Sequence, residues 1–204
     1  MGPWQCSHLH EFIFTKRIPG GGTCEPLSIL PDSLFEDDDD FEFCLSGMPP
    51  RPKGLKYIDE ELRLEDVFDP SGKLFYAVAP EGEYYPLTYV YDLGDYWEHE
   101  LVFQGAKLAR ADRPIFSLAQ GCDPVEDCHG PMGWNDIKRA FLTPEASRTS
   151  NQKFLLQWAA DTSGLGSQFD PFRERSLEEM NSPGNWERQY MQFIDQCENE
   201  FELD

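Results

Sequence analysis

The stretch YVYDLGDYWEH at positions 89–99 combines carboxylates, a histidine and aromatic rings around one glycine. These side chains are typical of general acid–base catalysis, because burial and charge coupling move the pKa values of carboxyl and imidazole groups toward neutrality. We therefore predict that His99 is a catalytic base or acid, oriented by Asp92 or Asp95. A structural alternative stays open, in which Asp92 accepts backbone hydrogen bonds across a turn and His99 is a hydrogen-bonded core residue.

A second polar cluster, DPVEDCHG at positions 123–130, is predicted to form a loop. We predict that its Glu126 and Asp127 are further catalytic acidic groups, and that the loop lies beside the hairpin in one site. Side chains of these types can also hold a divalent cation. Cys122 and Cys128 are spaced C-x5-C, which disfavours a structural zinc site. We assign no metal ligand.

The elements that must position these residues are two strands joined by a tight turn. Residues 85–92 and 96–105 alternate in a way that predicts a hairpin. The alternation places His99 on the apolar face, and Gly94 is expected to supply the positive φ of the turn. The predicted substrate-binding residues on the walls of the pocket are Tyr89, Tyr91 and Trp97.

The remainder of the chain predicts strands first and helices after. This order favours an α+β fold, with a mostly antiparallel sheet and C-terminal helices packed on it, over repeated βαβ units. We treat residues 1–204 as one domain, with an acidic loop at about 36–54 and a C-terminal helical extension at about 182–204. Strands are predicted at 10–17 and 73–79, a strand or short helix at 61–68, and helices at 134–142, 151–160, 172–181 and 182–201.

The charge balance limits the choice of partners. With 17 basic and 38 acidic residues, the formal net charge is −21 at pH 7. A chain of this charge is repelled by phosphate backbones and anionic membrane surfaces, so we expect neither nucleic acid nor membrane as a partner. A small-molecule ligand or a basic protein is easier to accommodate. The six scattered cysteines indicate reduced thiols, and the N-terminus lacks a secretory signal pattern, so a cytoplasmic location is expected.

Several segments together resemble the plasmid pRiA4b ORF-3-like family. The hairpin is similar to its motif Y-x-Y-D-x-G-D-x-W-x-H, and GCDPVEDCHGPMGW (121–134) is similar to its following segment P-P-E-D-x-G-G-x-x-G-Y. HLHEF (8–12), LEDVF (64–68), QWAA (157–160) and FDPFRERSLEEMN (169–181) extend the resemblance over about residues 4–181. It implies an α+β fold and a site location, but no established reaction.

The sequence departs from this family at four points. Val125, His129 and Trp134 stand where proline, glycine and tyrosine are usual. We also expect that the strand and helix which usually precede the HLHEF segment are lacking. We expect that this leaves a sheet edge or groove, covered by the 182–204 extension or by a second copy in a homodimer.

Three functions are consistent with these observations. The first is a small-molecule enzyme without a redox cofactor, using Asp, Glu and His in hydrolysis, isomerisation or cyclisation, since neither a dinucleotide nor a phosphate loop is present. The second is a non-catalytic binding or adaptor module with an acidic surface. The third is a metal-dependent hydrolase. We expect the protein to need no cofactor.

Overall fold

The computed structural model describes residues 8–35, 54–107, 110 and 113–187 of the chain. The chain divides into two compact units, which are described separately below. One unit is Leu9–Ala106, and the other combines Met1–His8 with Lys107–Asp204. Most of the predicted acidic loop at 36–54 and residues 188–204 of the C-terminal extension lie outside the described residues. The prediction of a single domain stays a prediction.

The first unit is built on a sheet that has five strands within the described residues, in the order β3-β2-β1-β4-β5. β2 and β3 are parallel, and the other neighbours are antiparallel. The sheet is therefore mostly antiparallel, and together with the C-terminal helices it confirms the predicted α+β class. The strands are β1 (His10–Arg17), β2 (Thr23–Leu30), β3 (Leu55–Ile58), β4 (Leu87–Tyr91) and β5 (Trp97–Leu101).

β2 was not predicted from the sequence, because Pro26 interrupts its pattern. Phe14 pairs with Leu27 and Lys16 with Cys24, so two residues of β2 oppose the single Thr15 of β1. This is a β-bulge, one of the few sheet positions that tolerate a proline. Close packing at the same place requires Gly54, because a Cβ there would lie 1.8 Å from the carbonyl oxygen of Glu25.

One face of this sheet carries a hydrophobic core covered by short helices. Phe14 and Leu27 of the sheet pack with Val67, Leu74 and Val78, and each of these side chains is almost fully buried. The covering elements are α2 (Leu64–Phe68) and α3 (Phe75–Val78), and α1 (Asp32–Phe35) follows β2.

The prediction of a strand at 73–79 is wrong, because this segment contains α3. Leu74 and Val78, four residues apart, are both buried, whereas Tyr76 between them is 63% exposed. That burial period is helical, and a strand would bury every second residue. At 61–68, the short-helix alternative is the one observed.

The second unit is helical in its described residues. It contains α4 (Gly130–Leu142), α5 (Ser150–Thr162) and α6 (Leu177–Asn181). α5 begins one residue before the predicted helix at 151–160, after a capping box in which the side chains of Thr149 and Gln152 each accept the other residue's backbone N–H. None of the helices in the described parts of the chain is long and apolar enough to cross a bilayer.

The boundaries of the other helices also differ from their predictions. α4 begins four residues before the predicted helix, with Pro131 in its first turn, where its missing N–H is tolerated. α6 begins at Leu177 because Ser176 and Glu179 form a second capping box, which lowers the pKa of Glu179. Residues 183–187 are helical, as predicted for the start of the extension.

Candidate functional site

The turn of the hairpin is formed by Asp92. Its Oδ1 accepts the N–H groups of Gly94 at 2.9 Å and Asp95 at 3.2 Å. Positive φ values occur at Asp92 (53°) and Tyr96 (55°), so the expectation that Gly94 supplies the positive φ is wrong. An aspartate tolerates this conformation because its carboxylate bonds the local backbone. Asp92 thus accepts backbone hydrogen bonds across the turn, which is the structural role given above as the alternative to catalysis. A catalytic role for Asp92 stays a prediction.

The register of the sheet places two rows of side chains side by side on one face. Tyr91 pairs with both His10 and Trp97, and Tyr89 pairs with both Phe12 and His99. Residues two apart on a strand point to the same side, so both rows share that face. Tyr89, Tyr91, Trp97 and His99 of the hairpin thus share this face with His10 and Phe12 of β1. We call His10, Phe12, Tyr89, Tyr91, Trp97 and His99 the histidine face.

His10 is bonded to a carboxylate that the sequence did not reveal. Its Nε2 lies 2.9 Å from Oδ2 of Asp59, in the 3₁₀ turn that follows β3. Both side chains are about one-quarter exposed. A carboxylate can only accept, so Nε2 carries the proton and Nδ1 holds the lone pair of the neutral ring. The only sequence signal for His10 was its place in the HLHEF segment, and Asp59 carried none.

His99 is held in the opposite tautomer. Its Nδ1 lies 3.1 Å from the carbonyl oxygen of Trp97 and must donate to it, so in the neutral ring Nε2 carries the lone pair. The predicted face of His99 is confirmed by its pairing with Tyr89. His99 is partly exposed, and Leu101 beside it is 40% exposed. The histidine is therefore not enclosed in the core.

Tyr89 lies between the two imidazoles. Its ring centroid is 5.9 Å from that of His10 and 5.7 Å from that of His99, and its ring also contacts Phe12 at 4.7 Å. Burial raises the pKa of Tyr89, and the negative charge of Asp59 raises it further. The phenol is therefore a proton donor at neutral pH, flanked by two potential bases.

The other predicted residues of the hairpin have distinct surroundings. Tyr91 is 4% exposed, whereas Trp97 is partly exposed. Oδ2 of Asp95 is buried and has no hydrogen-bond partner among the described residues. Burying a carboxylate oxygen without a hydrogen bond costs free energy, so Asp95 is a candidate to bind a ligand or to be protonated.

A depression of about 210 Å³ lies on the opposite face of the same unit. It contains no residue of the histidine face, and its volume is below the roughly 300 Å³ at which pockets for drug-sized ligands begin. We place the candidate chemistry on the histidine face, because this face carries both imidazoles, with Tyr89 between them. The depression is lined by Ile13, Thr15, Thr23, Cys24, Glu25, Thr88, Val90, Tyr96 and Glu98.

The DPVEDCHG loop belongs to the second unit, and its residues have different roles. Asp123 accepts an ion-paired bond from Nε of Arg175 at 2.6 Å, and Cys128 is buried with its thiol near the carbonyl oxygen of Gly130. Asp127 and His129 both have left-handed backbone conformations, with φ of 57° and 66°. Whether this loop shares one site with the hairpin stays a prediction.

Glu126 and Asp127 meet a histidine of their own unit. Nε2 of His8 lies 3.2 Å from Oδ1 of Asp127 and 3.6 Å from Oε1 of Glu126. One ligand atom from each of the three residues lies within 4.8 Å of the others. The sequence singled out the two carboxylates but missed His8, whose only signal was again the HLHEF segment.

Comparison with known proteins identifies a family whose model covers all three segments that carry these residues. No curated protein and no solved structure matches the chain significantly. The model of one protein family, described as "Plasmid pRiA4b ORF-3-like protein", matches residues 1–176. The match includes both histidines of the HLHEF segment, the hairpin and the DPVEDCHG loop. Since it covers most of the 204 residues, the chain belongs to the plasmid pRiA4b ORF-3-like family.

Proposed function

We propose that the protein is an acid–base enzyme that transfers protons on a small organic molecule bound at the histidine face. The observation that carries this proposal is the position of Tyr89 between two imidazoles of opposite tautomer, one bonded to Asp59 and the other to the Trp97 carbonyl. A carboxylate that fixes a histidine is a usual arrangement for general acid–base catalysis, because it orients the ring and stabilises the imidazolium, the form from which His10 would donate a proton.

The three groups suit a two-step proton transfer. Nε2 of His99 would take a proton from the substrate, and the Tyr89 phenol would donate a hydrogen bond to the oxygen on which negative charge develops. His10, protonated at Nδ1 by solvent, would deliver that proton to a second position of the substrate, and His99 would release its proton to solvent. The proton removed at one atom is thus replaced at another, which is the balance of an isomerisation or a cyclisation.

Proton abstraction can be tested before the natural substrate is known. The protein is incubated in D₂O with a panel of enolisable ketones and 1,3-dicarbonyl compounds, and NMR follows the loss of their α-proton signals. We expect the wild type to accelerate exchange for at least one compound. His99→Asn and His10→Asn should each slow it by about 10²- to 10⁴-fold, the usual contribution of a general acid–base group.

The matched control is His129→Asn, an exposed histidine outside the histidine face whose left-handed backbone asparagine tolerates. It should exchange at the wild-type rate. The proposal fails if the His99 and His10 variants match the wild type, or if the wild type accelerates no compound of the panel.

The net charge of −21 favours one alternative, a non-catalytic adaptor that binds a basic protein. An anisotropy titration with a labelled lysine-rich peptide at low and physiological salt tests it. Retained binding at physiological salt, combined with no proton exchange, would favour the adaptor over the enzyme.

A further inference from the structure

We infer that His8, Glu126 and Asp127 form a binding site for a divalent transition-metal ion. The site lies within the second unit and shares no residue with the histidine face. It therefore stands or falls independently of the proposed proton-transfer function.

The geometry of the three side chains matches the spacing of ligands around one ion. Protein nitrogen and oxygen ligands lie about 2.0–2.2 Å from zinc, so two ligands of the same ion are separated by about 2.8–3.6 Å at octahedral or tetrahedral angles. The distances from Nε2 of His8 are 3.2 Å to Asp127 and 3.6 Å to Glu126. The third separation, between the two carboxylate oxygens, is at most 4.8 Å, so side-chain rotation that brings these oxygens together would let one ion contact all three atoms.

The charges of the three groups also suit a divalent ion. Two carboxylates balance one M²⁺, and a neutral imidazole completes the set. The side chains of His8 and Glu126 are 23% and 14% exposed, and that of Asp127 is 50% exposed, so an ion at the cluster would be reached from the side of Asp127.

The ligand types select the class of metal. An imidazole nitrogen favours zinc, cobalt, nickel or iron over the hard ions magnesium and calcium, which prefer oxygen alone. Cys128 supplies no ligand, because its thiol is directed to the Gly130 carbonyl. Three protein ligands would leave at least one position for water or a substrate, as in catalytic rather than structural zinc sites.

The ligands come from two segments fixed by the fold. His8 precedes β1, and the carboxylates precede α4. Their loop is anchored on both sides, since Asp123 is paired with Arg175, and Val125 and Cys128 are buried. A loop held in this way keeps adjacent carboxylates together although their charges repel.

The direct test is a titration of the full-length protein, stripped of metal by chelator dialysis, with ZnCl₂ in a calorimeter. We expect one Zn²⁺ to bind per chain in the presence of excess Mg²⁺. The Mg²⁺ is added to compete for purely acidic segments of the sequence, such as EDDDDFE at 36–42. His8→Ala, Glu126→Gln and Asp127→Asn should each weaken binding at least about tenfold, because loss of even indirect metal contacts has that effect.

Two controls separate this site from other metal-binding groups. His129→Asn and Glu178→Gln change exposed residues outside the cluster and should bind zinc like the wild type. Cobalt provides a second measurement, since Co²⁺ bound by thiolates has a charge-transfer absorption in the near ultraviolet, and Co²⁺ bound by histidine and carboxylates lacks it. We expect this absorption to be absent.

Thermal melts show whether a variant has lost the site or its fold. Bound metal stabilises the native state by mass action, so Zn²⁺ should raise the melting temperature of the wild type and of both controls, but not of the three cluster variants. The inference is overturned if the wild type does not bind Zn²⁺ under Mg²⁺, if the folded cluster variants bind like the wild type, or if the thiolate absorption appears.

Discussion

Nε2 of His10 lies 2.9 Å from Oδ2 of Asp59, although 49 positions separate the two residues. The contact depends on the sheet order, in which β2 alone separates β1 from β3, so the turn after β3 can approach the start of β1. The carboxylate thereby lies near Tyr89 as well and contributes to its raised pKa. The same carboxylate therefore fixes the tautomer of His10 and helps to raise the pKa of Tyr89.

Asp59→Asn should lower the pKa of Tyr89 but leave it above the ordinary value of about 10. The reason is that burial is the larger cause of the rise and survives the substitution, whereas the charge of Asp59 is removed. An ultraviolet titration of the phenols, with Tyr89→Phe to identify the signal of Tyr89, measures this. Glu60→Gln, an exposed neighbour, is the control. An unchanged Tyr89 titration in Asp59→Asn would contradict the electrostatic coupling.

The raised pKa of Tyr89 also predicts how stability depends on pH. In the interval above about pH 10, the unfolded chain loses the phenolic proton while the folded protein still holds it. The unfolded state then binds fewer protons, so the free energy of unfolding falls as pH rises. Tyr89→Phe cannot ionise, and its melting temperature should decline less steeply through this alkaline range. Parallel declines for the two proteins would be the contrary result.

His99→Asn should cost less stability than the truncation of a buried core residue, about 0.5–1.5 kcal/mol for each hydrogen bond that is lost. His99 is partly exposed, and its Nδ1 donates to the Trp97 carbonyl. Phe14→Ala is the reference on the same face, since Phe14 is 1% exposed and its loss should cost about 3–5 kcal/mol. Urea unfolding of both variants checks the difference. A cost for His99→Asn as large as that for Phe14→Ala would mean that the histidine serves packing.

Nucleic-acid binding is expected to be absent at physiological salt. Nonspecific affinity for DNA and RNA comes mainly from neutralised phosphates, and a chain with net charge −21 has few cations to supply. Fluorescence anisotropy with generic single- and double-stranded oligonucleotides measures this. Sub-micromolar binding would overturn the argument from charge.

Local patterns predicted the parts of the fold that depend on neighbouring residues. Alternation along β5 placed His99 on the correct face, because the direction of a strand side chain is set by its position in the strand. The same reasoning failed at 73–79, where Leu74 and Val78 are buried with helical spacing against a core that the sequence does not display. β2 was not predicted, because a proline inside a strand is acceptable only at a bulge or an edge. The bulge at Pro26 forms between β2 and β1 and cannot be recognised from β2 alone.

The candidate sites depend even more than the fold on contacts between distant parts of the sequence. Glu126 and Asp127 are conspicuous in the sequence, but their meeting with His8 joins segments more than a hundred residues apart. Asp59 has no motif at all, and its role appears only when the order of strands is known. Composition and spacing thus identified chemically capable residues, whereas the groups that complete each cluster are determined by tertiary contacts.

Gly133→Ala should destabilise the protein by about 1–3 kcal/mol, as expected for an added methyl group in a packed position. A Cβ at this point of α4 would lie 1.6 Å from the carbonyl oxygen of Cys128 and 2.8 Å from its carbonyl carbon. These are backbone atoms, so the loop that carries Glu126 and Asp127 must move to make room. Gly184→Ala is the matched control, because a Cβ at Gly184, in the helical segment 183–187, meets no atom of the described residues within 4 Å.

The displacement should also affect zinc binding, because His8 is on a separate segment and would not follow the loop. We expect Gly133→Ala to bind Zn²⁺ more weakly than the wild type at a temperature where both proteins remain folded, and Gly184→Ala to bind it equally well. Urea unfolding and zinc calorimetry on the same preparations measure both effects. Unchanged stability of Gly133→Ala would show that the loop yields without cost. Lowered stability with unchanged zinc affinity would show that the carboxylates of the loop are not held in place by its packing against α4.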